Sequence, residues 1–223
     1  MNHSEMINIW KAYDKKLDET LLLNNKISEE VTKLKTKTIL SSMTPIKVFT
    51  IIVGLVWVIA GSTIVGSIFL HAYTSASHFF LYSATLQIAL TAIALIIYLY
   101  QLIIIQQVDI TEPLVKTQKR LAALKSSTLW VARVLFLQLP LWTTFQISES
   151  MIRDGNMAYI LINGIVTAVF TLIAVWLFVN IRFENRDKKW FKLIFSGKEW
   201  TPIMKAIELH HQIEKFEKED KSW

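Results

Sequence analysis

Histidines, hydroxyls and carboxylates are the groups through which this chain could do chemistry, and their spacing limits what they support. His210 and His211 stand beside Glu208. A di-metal helix bundle needs a Glu-x-x-His pair from each of two helices plus further carboxylates, so this trio is only a fragment of a ligand set. His71 and His78 flank Ser75 and Ser77. A hydrolytic serine needs a base in hydrogen-bond reach and a third group orienting that base, and the segment holds no carboxylate. Ser196-Gly197-Lys198 has the end of a phosphate loop without its upstream glycine. The chain has no cysteine, which removes disulfides, thiolate metal ligands and thiol nucleophiles. These residues point to no catalytic site, no metal and no cofactor, and the chain reads as a non-enzyme.

The elements around these residues explain the sparseness. Hydrophobic residues make up 52% and charged residues 19% of the 223 positions, against about 25% charged in soluble domains. The charges gather in the first 47 residues and after residue 181. Between them lie four apolar runs: 48–70, 79–105, 129–145 and 157–181. A spanning helix needs about 20 apolar residues at 1.5 Å rise each. The first, second and fourth runs meet that length, and the third is shorter and contains Arg133. The expected fold is all-α: a four-helix transmembrane bundle over 48–181 with a cytoplasmic connector at 106–128. A cytoplasmic arm (1–47) and tail (182–223), both amphipathic helices, complete it. The N-terminus is too polar for a signal peptide, so the first span acts as an uncleaved insertion signal.

Basic residues set the orientation. Of 24 Lys and Arg, 22 fall in the arm, the connector and the tail; the others are Arg133 and Arg153. Lys and Arg in short flanking segments mark the cytoplasmic side, so both termini are expected there. Tyr73, Trp130, Trp142, Tyr159 and Trp190 lie near span boundaries as an aromatic belt, and Lys188-Lys189-Trp190-Phe191-Lys192 reads as an interfacial anchor. The net charge of +6 is thereby assigned to lipid headgroups and not to nucleic acid.

The spans have an inside. Ser83, Gln87, Thr91, Ala94, Tyr98 and Gln101 recur at three- and four-residue steps, hence on one helical face. Asn163, Gly164, Thr167, Ala168, Thr171 and Ala174 form a small and polar face in the fourth run, and Gly54 and Gly61 lie seven apart in the first. In this topology Gln87, Gln138 and Asn163 lie at one depth, roughly 9–12 Å below the outer boundary. They are expected to form one intramembrane hydrogen-bonded layer, either as packing glue or as part of a polar path. Arg133, about one turn inside the cytoplasmic boundary, has three open roles: snorkelling outward, pairing with an acid such as Asp109 or Glu184, or forming a gate or anion site. No Asp or Glu lies in any span, which disfavours proton- and cation-coupled transport.

The arm carries Trp10, Tyr13, Leu17 and Leu21 on one stripe, and after a pause at Asn24-Asn25 the pattern resumes with Ile27, Val31 and Leu34, where Ser28-Glu29-Glu30 suits a helix start. Such a stripe is covered by the protein's own loops, by another copy or partner protein, or by the bilayer surface. In the connector, Pro113 opens a short amphipathic helix. The tail is expected to continue span four through Phe195, break at Ser196-Gly197 and restart with Thr201 as N-cap before Pro202. The new helix carries Ile203, Ile207, His210, Ile213 and Phe216.

Several segments carry a resemblance: Ile9-Trp10-Lys11-Ala12-Tyr13-Asp14-Lys15-Lys16-Leu17, Ser126-Ser127-Thr128-Leu129-Trp130-Val131, Leu137-Gln138-Leu139-Pro140, Trp142-Thr143-Thr144, Glu184-Asn185-Arg186-Asp187-Lys188-Lys189-Trp190 and Ser196-Gly197-Lys198-Glu199-Trp200. Across most of its length the chain resembles a group of uncharacterised four-span bacterial membrane proteins. That implies a multi-pass protein of the bacterial inner membrane. The arm is also similar to Trp-containing arms of small membrane proteins encoded beside alternative sigma factors, which implies a regulatory role, although it has no zinc-binding His/Cys set. The leading expectation is a non-enzymatic, membrane-anchored regulatory or scaffold protein whose terminal helices bind a cytoplasmic partner, with Trp10, Tyr13, Leu17 and Leu21 as anchors. The alternative is an oligomeric channel or small-solute transporter lined by the polar face of span two. Membrane lipids are partners in both, and a homo-oligomer is compatible with either.

Overall fold

The computed structural model describes residues 3–108, 114–148, 152–153, 157–197 and 200–209. Described secondary structure is entirely helical, in the order α1 (His3–Ser41), α2 (Thr44–His71), α3 (His78–Gln106), α4 (Leu114–Phe136), α5 (Leu139–Thr144) and α6 (Met157–Asn180). A 3-10 turn (Phe183–Asn185), α7 (Lys189–Phe195) and α8 (201–209) follow. The helix running through α2, together with α3 and α6, is long and apolar enough to cross a membrane.

α1 does not pause at Asn24-Asn25 or restart at Ser28. It is one 39-residue helix, because no Gly or Pro lies within it and each Asn costs at most about 0.7 kcal/mol of helix propensity. It ends only at Ser42-Met43. Pro45 lacks an N–H and its ring would strike the carbonyl four residues back, so the Met43 N–H bonds to the Leu40 carbonyl at 3.0 Å in a tightened turn. Pro45 then sits in the first turn of α2, where its missing donor costs nothing. The first apolar helix therefore starts four residues earlier than the uncharged run.

Proline also explains the third apolar run. The expected connector helix and the first half of that run form one helix, α4, which breaks at Leu137-Gln138. Pro140 excludes the Phe136 carbonyl from a regular bond, and the hydroxyls of Thr143 and Thr144 turn back onto the Pro140 carbonyl at 2.7 and 3.4 Å. The run is thus two pieces joined by a turn, and it is not among the helices that meet spanning length. Pro113 and Asp109 lie outside the described residues.

α6 does not continue through Phe195. It ends at Asn180, and Arg182 takes an extended backbone. The Asn180 carbonyl accepts from Asn185 Nδ2 at 2.7 Å, while Asn180 Nδ2 donates to the Trp176 carbonyl at 2.8 Å. The Asn185 side chain thereby satisfies a carbonyl that a longer helix would have used. The break at Ser196-Gly197 is present. Thr201 is not the cap of α8: its hydroxyl donates to the Gly197 carbonyl at 3.2 Å, and Trp200 holds the position before the helix.

Packing makes α3 central. It lies against α2 along one side and against α4 and α5 on another, while α6 leans on α5 and α4. Gly54 and Gly61 set the α2–α3 approach, since a Cβ at Gly54 would lie 2.5 Å from Leu95 Cδ2 and one at Gly61 3.1 Å from Ile88 Cδ1. At the charged ends of the helices, Leu40 and Met43 join Ile104, Ile105, Leu121, Leu124 and Ile203 of α8 in one core. A second, aromatic core joins Leu177 and Ile181 to Phe191, Phe195 and Trp200. Phe191 of the expected interfacial anchor is thus a core residue, stacked on Phe195 at 4.3 Å.

Candidate functional site

Two features stand out: a polar seam inside the helices and an apolar stripe outside them. The seam is built on the inward face of α3, where Ser83, Gln87, Ala94, Tyr98 and Gln101 are buried and Thr91 half-buried. At one end the Ser83 and Thr144 hydroxyls meet at 2.7 Å. Next, Gln138 Nε2 donates to Thr91 Oγ1 at 3.0 Å, and Thr91 in turn donates to the Gln87 carbonyl of its own helix at 2.8 Å. Because α4 breaks at Gln138, that amide stands at the bend and reaches across to α3.

The three expected amides do not form a single layer. Gln138 is tied to α3 through Thr91 and the Gln87 backbone, whereas Asn163 Nδ2 donates to the Tyr159 carbonyl at 3.3 Å. A short amide on an α-helix can satisfy itself against the turn four residues back, and most of α6 is exposed. Ser62 and Thr63 are exposed as well.

At the other end of the seam lies one of the basic residues that flank the apolar runs. Lys47, in the first turn of α2, is wholly buried (0% exposed). Its ammonium donates to Gln101 Oε1 and sits 4.7 Å from the centroid of the Tyr98 ring. A buried cation requires such partners, because desolvation alone is costly, and the ring face adds cation–π attraction. The signal for this contact was present in the sequence: Tyr98 and Gln101 end the polar face of α3 at the depth where Lys47 enters. The Gln101 Nε2, Thr36 Oγ1 and Thr117 Oγ1 atoms are buried and make no hydrogen bond.

Arg133 neither pairs with Glu184, which is exposed, nor points into an open path. Its Nε and Nη2 both donate to the Ile181 carbonyl, at 2.8 and 2.6 Å, and its guanidinium lies 5.2 Å from the Trp130 ring centroid. It therefore caps α6 from α4, supplying charge-assisted donors to the negative end of a helix. The following turn is held by the Phe183 ring, with Lys125 Nζ 3.9 Å and Arg186 Cζ 4.5 Å from its centroid.

The histidine and serine candidates have structural positions. Ser77 caps α3, accepting from the Phe80 N–H at 3.4 Å and donating to the Ile147 carbonyl at 2.8 Å. His71 Nδ1 lies 3.1 Å from the Ser67 carbonyl, and His78 meets Tyr73 edge-on at 4.8 Å. No group of three or more metal-ligating side chains occurs among the described residues. His210, His211 and Lys198 lie outside them.

The stripe is on α1. Every side chain from Met6 to Ser28 is exposed, with Trp10 at 73% and Tyr13 at 71%. Leu17 and Leu21 are exposed with them. Only the end of the helix docks on the rest of the chain, through Lys33, Thr36, Leu40 and Met43. Glu29 steadies this end by pairing with Lys33 at 2.7 Å.

Compared with known protein families, with curated proteins and with solved structures, the chain matches none.

Proposed function

We propose that this protein is a non-enzymatic, membrane-anchored regulatory or scaffold protein that engages a cytoplasmic protein through its terminal helices. In this reading the chain crosses the bacterial inner membrane four times, with α4 and α5 together forming the third pass. Both ends face the cytoplasm, as the distribution of Lys and Arg requires. The observation that carries the reading is the arm. A soluble helix does not hold Trp10, Tyr13, Leu17 and Leu21 in water without a partner surface, since aromatic and aliphatic anchors of this kind supply most of the energy of helix-in-groove contacts.

The seam supports an anchor over a conduit. Ser83, Thr91, Tyr98 and Gln101 face other helices and are used in contacts with Thr144, Gln138 and Lys47. Polar side chains spent on one another hold helices together and do not line a water path. Affinity capture from membranes with the wild-type chain and with the Trp10→Ala/Leu17→Ala variant tests the reading. The variant is expected to lose a specific partner, and identical partner sets from the two chains would refute it.

A further inference from the structure

The arm has a seven-residue register that says what covers it. Met6, Trp10, Tyr13 and Leu17 follow steps of four, three and four, and the same rhythm returns in Ile27, Val31 and Leu34. Thr20 and Asn24 occupy the two positions between. All nine side chains are exposed. Two apolar stretches held in one 3.5-residue frame across two polar layers fit the a/d pattern of a coiled coil, whereas a helix lying on a globular surface follows 3.6. In this register Trp10, Leu17, Asn24 and Val31 are a positions, and Tyr13, Thr20, Ile27 and Leu34 are d positions. A lone Asn at an a position is the residue that selects two strands in register. Leu21 and Leu23, at e and g, flank that polar layer and shield it.

Three further observations converge on a second copy of the same chain. The face by which α1 docks on its own bundle, Lys33, Thr36 and Leu40, occupies c and f positions. Val31 and Leu34 remain exposed beside it, so docking leaves the a/d face free down to the helix base. The joint to α2 is only the turn at Ser42-Met43, so two copies in one bilayer would send their arms out side by side and parallel. In a parallel pair each g position faces the e position five residues on in the partner helix. That sets Glu30 opposite Lys35 of the second copy, both exposed, and opposes no like charges.

We infer that α1 pairs with α1 of a second copy as a parallel, in-register, two-stranded coiled coil. This deepens the function proposed above and rests on it, because it names the partner of the same face. The paired arms would form the scaffold, leaving Leu22 at an outward f position.

The absence of native cysteine makes the test clean. Full-length chains carrying Leu17→Cys (a), Ile27→Cys (d), Lys15→Cys (f) or Leu22→Cys (f) are oxidised in isolated membranes and separated without reductant. All four positions are exposed within one copy, so none of the substitutions removes a packing contact inside the chain. The expected result is a band at twice the 25.8 kDa monomer mass, about tenfold stronger for the a and d positions than for the f positions. Equal cross-linking at all four would signify random collision and overturn the inference. No cross-linking, with capture of another protein that Trp10→Ala/Leu17→Ala abolishes, would overturn it while leaving the function standing. No cross-linking and no such capture would remove both.

Discussion

Lys47 and Arg133 are two cations handled by opposite means. Lys47 is buried on an amide and a ring, whereas the half-buried Arg133 binds a carbonyl that α6 leaves free. A hydrogen bond to a charged group contributes about 1.5–3 kcal/mol, so Gln101→Leu should lower stability by about that much. The Lys47→Met/Gln101→Leu double variant should regain part of it, because apolar pairs of similar volume often replace buried charge without loss. Denaturation in detergent across this mutant cycle measures both. Arg133→Leu should free the Ile181 carbonyl and loosen α7, with faster amide exchange over residues 182–195, whereas Arg133→Lys should restore only part of the protection because a single ammonium lacks the planar fork. The sequence marked Arg133 by its isolation inside an apolar run. It did not mark Ile181, because a backbone acceptor leaves no trace in residue types.

At the scale of elements, prolines and glycines decided more than hydropathy. The inward face of α3 was legible from its three- and four-residue spacing, and the close α2–α3 approach from Gly54 and Gly61. The depth match of Gln87, Gln138 and Asn163 was less informative. Depth places residues at one level, but rotation about each helix axis decides which of them meet, and α6 turns Asn163 onto its own backbone. The two amides should therefore differ on mutation. Gln138→Leu is expected to cost about 0.6–1.7 kcal/mol, the range for bonds between membrane helices, while Asn163→Leu should stay within about 0.5 kcal/mol. Comparing the unfolding free energies of the two variants checks the contrast. Asn24-Asn25 suggested a pause in the arm, yet weak propensity yields where no Gly or Pro intervenes.

For the whole molecule, the boundary between anchor and arm lies within α1, near Lys33, and not at the edge of the first apolar run. Residues 6–28 are exposed, while Leu40 and Met43 belong to the core with α3, α4 and α8. Leu40→Ala should then cost about 2–5 kcal/mol, as large-to-small changes in packed cores do. A chain beginning at Glu29 should keep the bundle's melting midpoint within about 2 °C of the full-length value, because arm and bundle would unfold as separate units. Circular dichroism melts of the two proteins distinguish these outcomes. α8 contributes Ile203 and Ala206 to the same core, so the end of α1 and the start of α8 are packed together beside the charged ends of the helices.

The short joint at Ser42-Met43 also has a mechanical meaning. At 1.5 Å per residue, α1 is a rod of about 58 Å, and it meets α2 one turn before Lys47 and three turns before the Gly54–Leu95 contact. Only the part from His3 to Lys33, about 45 Å, is free of the bundle, and tilting it by about 10° displaces its tip by about 8 Å. Read in reverse, a force gathered at Trp10 would act with that lever arm on the docked stretch from Lys33 to Leu40, which lies directly before the Pro45 turn and the Lys47–Gln101 contact. What holds the far end of the arm thus bears on how tightly α2 sits against α3.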